Sequence, residues 1–220
     1  MADVSSPLEH PLFRDHGEAL DRYEALLVED QAQRDAEYAR PDASRRRLKI
    51  ACNDCTAPWC CYQHVDATLV EALVLYRWAS THAPGALQAA LARGRALEKD
   101  PPADDAAHFR RKLPCPFLVG GRCAVYPVRP HRCRSHYMAG PPKLCREELA
   151  PRDTYGMSPD PKLLEELSQL GSDLAFFAQV EDVAVSELSR LLRLVDQVAR
   201  SGVTWSRPVR LEAGLVPKGR

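Results

Sequence analysis

Between residues 18 and 39 apolar side chains recur at helical spacing, at Leu20, Tyr23 and Leu27, and then give way to an almost wholly polar run. The pattern predicts an amphipathic N-terminal helix over 18–40 whose far end is solvated. Pro41 and the following "DAS" end it, because proline cannot continue the hydrogen-bond ladder and restricts the residue before it. In "DATLVEALVLYRWASTHAPG", Thr68 and Glu71 have the spacing of a capping box and Pro84-Gly85 supplies a stop, which predicts a second helix. A third, "GALQAALARGRALEKD", carries Leu87, Leu91 and Leu97 on one side and closes before Pro101-Pro102.

The periodicity then fails. From 101 to 159 prolines recur, glycines pair at Gly120-Gly121, and Cys115, Cys123, Cys133 and Cys145 are spread along the segment. Ordinary connections run about 4 to 6 residues, so something must offset the entropy of ordering so long a stretch; the cysteines are the candidates. Within "CPFLVGGRCAVYP", a short hairpin is expected, with 117–119 and 124–126 flanking the glycine pair. Helical pattern returns at the end. Asp160 is placed as an N-cap with Pro161 at the first helical position, Gly171 reads as the stop, and a last long helix starts near Asp173. Its stripe is Phe177, Val180, Ala184, Leu188, Leu191, Val195 and Val198, and Ser201-Gly202 ends it.

The expected fold is therefore mainly α: amphipathic helices packed around an irregular, proline-rich, cysteine-stapled metal-binding core with one short β-hairpin. It is read as a single domain over 1–220, with the N-terminal helix at 18–40, a cysteine-cluster region at 48–150 and C-terminal helices at 160–201. A length of 220 residues with 45% hydrophobic and 27% charged residues is enough for one core. Thirty basic residues balance thirty acidic ones, so no whole-molecule field draws in nucleic acid or an anionic membrane. The one basic cluster, Arg45, Arg46, Arg47 and Lys49, reads as a solvated helix end. No apolar run approaches the roughly 18 to 20 residues that span a bilayer, and the start lacks an export signal, so a cytoplasmic location is expected.

In a reducing compartment a dense cysteine pattern points to metal or redox chemistry rather than to disulfides. Four of the eight cysteines, Cys52, Cys55, Cys60 and Cys61, fall within "ACNDCTAPWCC". The C-x2-C pair Cys52/Cys55 can present two sulfurs to one ion. The adjacent Cys60 and Cys61, in an extended segment, would point in opposite directions and serve different centres. Zinc sites and the common iron-sulfur clusters each take four ligands, so eight thiols suffice for two. His64, His131 and His136 are alternative ligands. Arg122, Arg129, Arg132 and Arg134 stand beside the later cysteines, where cations can stabilise an anionic thiolate centre or pair with carboxylates. Trp59, Phe117 and Tyr126 can shield sulfur from water. G-x-S-x-G, P-loop, H-E-x-x-H and C-x3-C-x2-C motifs are absent from the sequence, so any catalysis would come from the metal.

"CNDCTAPWCC", followed by "CPFLVGGRCAVYPVRPHRCRSH" and Cys145, resembles the bacterial cysteine-cluster proteins of the YkgJ type, the C-x2-C-x2-C-C family described as zinc- or iron-chelating domains. The pattern C-P-F-L, G-x-C-x-V-Y, R-P-x-x-C-R is met by Cys115, Pro116, Phe117, Leu118, Gly121, Cys123, Val125, Tyr126, Arg129, Pro130, Cys133 and Arg134 in order. The likeness spans 52–145. It departs from the family where Thr56, Ala57, Pro58 and Trp59 precede the double cysteine in place of two residues. It implies a metal cofactor, zinc or iron, the iron as an ion or in an iron-sulfur cluster, with all eight cysteines as the ligand set. Flagellin lysine methylases are similar in carrying such a cluster, but a shared site does not transfer an activity. Three functions follow as alternatives: a structural metal site, an iron-dependent redox or protein-modifying enzyme, and a metal-handling module that docks an unidentified protein through its helices.

Overall fold

The computed structural model describes residues 6–39, 59–136, 160–177 and 185–201, and the chain is mainly helical. A 3-10 turn (Pro7–Glu9) and the short α1 (Pro11–Arg14) lead into α2 (Gly17–Ala39). After a 3-10 turn at Trp59–Tyr62, β1 (Asp66–Thr68) runs directly into α3 (Leu69–His82), and α4 (Pro84–Lys99) follows. The middle segment carries α5 (Asp105–Arg110), β2 (Leu118–Val119), β3 (Arg122–Cys123), a 3-10 turn at Tyr126–Val128 and α6 (His131–Arg134). The chain then forms α7 (Pro161–Phe177), β4 (Val185–Glu187) and α8 (Leu188–Ser201).

The capping box at the head of α3 is formed in both directions. Thr68 Oγ1 accepts the Glu71 N–H at 3.1 Å and Glu71 Oε2 accepts the Thr68 N–H at 2.8 Å. Burial of Leu69, Val70, Ala72, Leu73, Val74, Leu75, Tyr76 and Ala79 surrounds most of α3 with protein, as its near-continuous apolar run requires. On one side lies α8, whose Leu188, Leu191, Leu192, Val195 and Val198 are buried. α4 packs on α8, and α7 packs on α2 through Leu163, Leu167 and Leu174. β1 and β4 pair antiparallel, Ala67 opposite Ser186, and the Leu188 N–H donates to Val65 C=O at 2.9 Å. Each strand leads without a break into a helix of 14 residues, so β1-α3 and β4-α8 form two like strand-helix units joined at their strands.

The C-terminal helices differ from expectation. α7 passes through Gly171 without stopping, and the last helix begins at Leu188, not near Asp173. Gly171 lies against α2, where a Cβ would meet the Tyr23 ring at 3.4 Å. Of the expected stripe, Leu188, Leu191, Val195 and Val198 lie on α8, Phe177 ends α7, and Val180 and Ala184 lie outside the described residues.

The polar end of α2 is also not solvated along its length. Asp30, Gln31 and Arg34 are buried on the face that Leu20, Tyr23 and Leu27 begin. Their spacing continues that stripe, and the face meets the Tyr126–Val128 turn. The middle segment is more regular than its composition suggests. Phe117, Val125 and Val128 enter the hydrophobic core, and Arg93 of α4 donates to the C=O groups of Pro116 and Leu118. Among the described residues no helix is long and apolar enough to cross a membrane.

Candidate metal centre

Five cysteines, Cys60, Cys61, Cys115, Cys123 and Cys133, lie within the described residues, and all five are free thiols. Cys52, Cys55 and Cys145 lie outside them, as does the Arg45 to Lys49 cluster. The two sequence-distant groups meet: the Cys115 N–H donates to the Cys61 C=O, joining the Trp59–Tyr62 turn to the start of the middle segment. Gly120 and Gly121 then turn the chain back with φ of 57° and 76°, which side-chain-bearing residues rarely adopt. The turn pairs Leu118 with Cys123, so Cys115 and Cys123 come together. This ladder has two rungs, and Tyr126, expected on its second strand, instead begins the 3-10 turn.

At each of these two thiols the backbone amide two residues on, that of Phe117 for Cys115 and that of Val125 for Cys123, opposes the upward push of burial. Both donors belong to buried side chains, Phe117 at 0% and Val125 at 2% exposure. Both amides thus belong to residues held in the core. An amide aimed at sulfur favours its thiolate, the form that binds metal.

Cys60 and Cys61 do not point apart. Their segment is a 3-10 turn rather than extended chain, and the two side chains hydrogen-bond to each other. That bond, aided by the charge of Arg129, brings Cys60 down to about 7 and pushes Cys61 up, with burial adding to the rise. Burial pushes Cys115 up to about 12 and also raises Cys123 and Cys133. Three of the five lie in the field of at least two others: Cys61 of Cys60, Cys115 and Cys123, Cys115 of Cys123 and Cys60, and Cys133 of Cys115, Cys123 and Cys60. Without a cation Cys61, Cys115, Cys123 and Cys133 hold their protons; a bound cation would release them.

Two arginines act on these thiols. Arg129 lies in the field of Cys60, Cys123 and Cys133, with its guanidinium 4.2 Å from the Tyr126 ring centroid and Nε donating to Gln31 Oε1 at 2.9 Å. Arg93 faces Cys115 from α4. Arg122 and Arg132 are exposed, and Arg134 turns away to the buried Asp30, which Arg34 also binds at 3.0 Å. Of the expected shields, Phe117 is buried, Tyr126 is 40% exposed, and the Trp59 side chain is outside the description.

The three histidines have partners of their own. His64 lies 3.7 Å from Asp66 and stacks on His108, while His131 heads α6 with its backbone N–H on Glu71 Oε1 at 2.6 Å. His136 closes the described part of the segment. Among the described residues, no three His, Cys, Asp or Glu side chains meet the geometry of a formed metal site.

No family model, curated protein or solved structure matches the chain. The residues themselves carry the chemistry. Sulfur donors gathered from two parts of the chain, in the field of Arg129 and Arg93, fit a thiophilic ion or cluster. Arg93, Asp30, Gln31 and the second oxygen of Glu71 escape the sequence argument. For Asp30, Gln31 and Arg34 the available signal was register, since they continue the stripe of Leu20, Tyr23 and Leu27.

Proposed function

We propose that this chain is a metal-binding protein whose cysteines hold zinc or an iron-sulfur cluster, and that the metal fastens the middle segment to the helical frame. The observation that carries it is the meeting of the two cysteine groups: the Cys115 N–H donates to the Cys61 C=O, and the Gly120-Gly121 turn brings Cys123 back beside Cys115. The full ligand set is drawn from the eight cysteines, with Cys52, Cys55 and Cys145 completing what the five begin. The likeness to the cysteine-cluster family supports the same residues. The metal's part would be structural, so removing it should loosen 115–134 more than α3 and α8.

Elemental analysis with a visible spectrum, on protein purified without oxygen, tests this. Colourless protein with stoichiometric zinc, or brown protein with iron and acid-labile sulfide, supports it. Folded, metal-free protein that takes up neither overturns it. Serine replacement of Cys115 or Cys133 should release the metal, and retention of full metal content by both variants would remove them from the ligand set.

A further inference from the structure

We propose that Glu71 is a positioning residue for the metal centre, using one carboxylate oxygen to cap α3 and the other to set Cys133. This rests on the metal-binding reading above and assigns the centre a support outside its cysteines.

Cys133 lies on α6, a helix of only four residues, HRCR. One turn of helix has no stability of its own, so bonds from outside decide how it is oriented. At its head, the His131 N–H donates to Glu71 Oε1 at 2.6 Å. Glu71 Oε2 is already occupied by the Thr68 N–H at 2.8 Å and by Thr68 Oγ1 at 3.2 Å. The carboxylate is 4% exposed and is held from both sides. At the tail of α6, the Arg134 C=O accepts from Arg34 Nη1 at 3.3 Å and the Arg134 side chain reaches Asp30. Cys133 therefore sits between a fixed point on α3 and a fixed point on α2. Both helices belong to the hydrophobic core, so the sulfur's place is set by the frame.

The two oxygens can be separated chemically. A capping box accepts Gln as readily as Glu, because one side-chain oxygen is enough for the N-cap N–H. Glu71→Gln leaves one oxygen, and its NH2 then faces a backbone N–H, donor against donor. Thr68→Ala does the reverse: it weakens the cap of α3 and leaves the Glu71–His131 bond in place.

The test compares the full-length wild type, Glu71→Gln and Thr68→Ala, each reduced, stripped of metal and reloaded with cobalt(II). Affinity is read by chelator competition, and ligand geometry by the cobalt absorption bands. Loss of a support to a metal ligand typically costs 10- to 100-fold in affinity. Glu71→Gln is expected to weaken cobalt binding by about tenfold or more and to shift the bands. Thr68→Ala is expected to lower thermal stability while binding cobalt within about twofold of wild type, its loss being that of a cap alone. Equal affinities and spectra for the two variants would overturn the positioning role. A wild type that takes up no metal would overturn the metal centre itself.

Discussion

Removing the carboxylate of Asp30 should be among the most damaging single changes in the protein. Asp30 is fully buried, its two oxygens accept from Arg34 Nε at 3.1 and 3.0 Å, and it also accepts from Arg134. Arg34 is 2% and Arg134 1% exposed, so solvent cannot replace the lost carboxylate. Burial already pushes the Arg134 guanidinium below its ordinary value, and Asp30 is the largest influence opposing that shift. Breaking a buried pair by deleting one partner costs about 3–5 kcal/mol. With two guanidinium groups losing one carboxylate, Asp30→Ala belongs at the upper end of that range. Domains are stable by roughly 5–15 kcal/mol, so a third or more of the total is at stake. At about 2–4 °C per kcal/mol for a chain of this size, the melting temperature should fall by roughly 10–20 °C. The assay is thermal unfolding followed by circular dichroism, on metal-free and metal-loaded protein. Arg22→Ala is the reference, because its Glu166 pair is about half exposed at both ends and should change stability by about 1 kcal/mol or less. An Asp30→Ala melting temperature no lower than that of Arg22→Ala would refute the reasoning.

Two further outcomes follow from the same geometry. Gly121→Ala places a Cβ in open space but at φ 76°, so its whole cost is backbone strain, about 1–2 kcal/mol, read as a lower midpoint in urea. An unchanged midpoint would mean that the turn readily relaxes. In metal-free protein Cys115 ionises at about 12 against an ordinary 9.0, so the folded state keeps a proton that the unfolded state loses. That contribution is intact below pH 9.0 and is lost as the pH rises toward about 12. Metal-free protein should therefore weaken across this window in denaturation measurements, and equal stability at both ends would contradict the burial of that thiol.

How much of this was legible depended on whether a residue's partner was local. Thr68 and Glu71 lie three residues apart, and their capping box forms as the spacing predicts. Asp30 and Arg34, also close in sequence, look like an exposed helical ion pair, and only Arg134, a hundred residues on, makes their burial possible. Gly171 reads as a helix stop until Tyr23 is seen against it. The pairing of β1 with β4 joins segments of three residues each, too short to show alternation. In the candidate centre, the cysteine count and the C-P-F-L and G-x-C-x-V-Y motifs were plain in the sequence. That the Cys115 N–H meets the Cys61 C=O, more than fifty residues away, could not be read from spacing.

The most direct test of the central claim is X-ray absorption at the edge of whatever metal the protein retains on purification. The account predicts an inner shell dominated by sulfur, at about 2.3 Å. An inner shell of oxygen and nitrogen only, or no retained metal in folded protein, would contradict it.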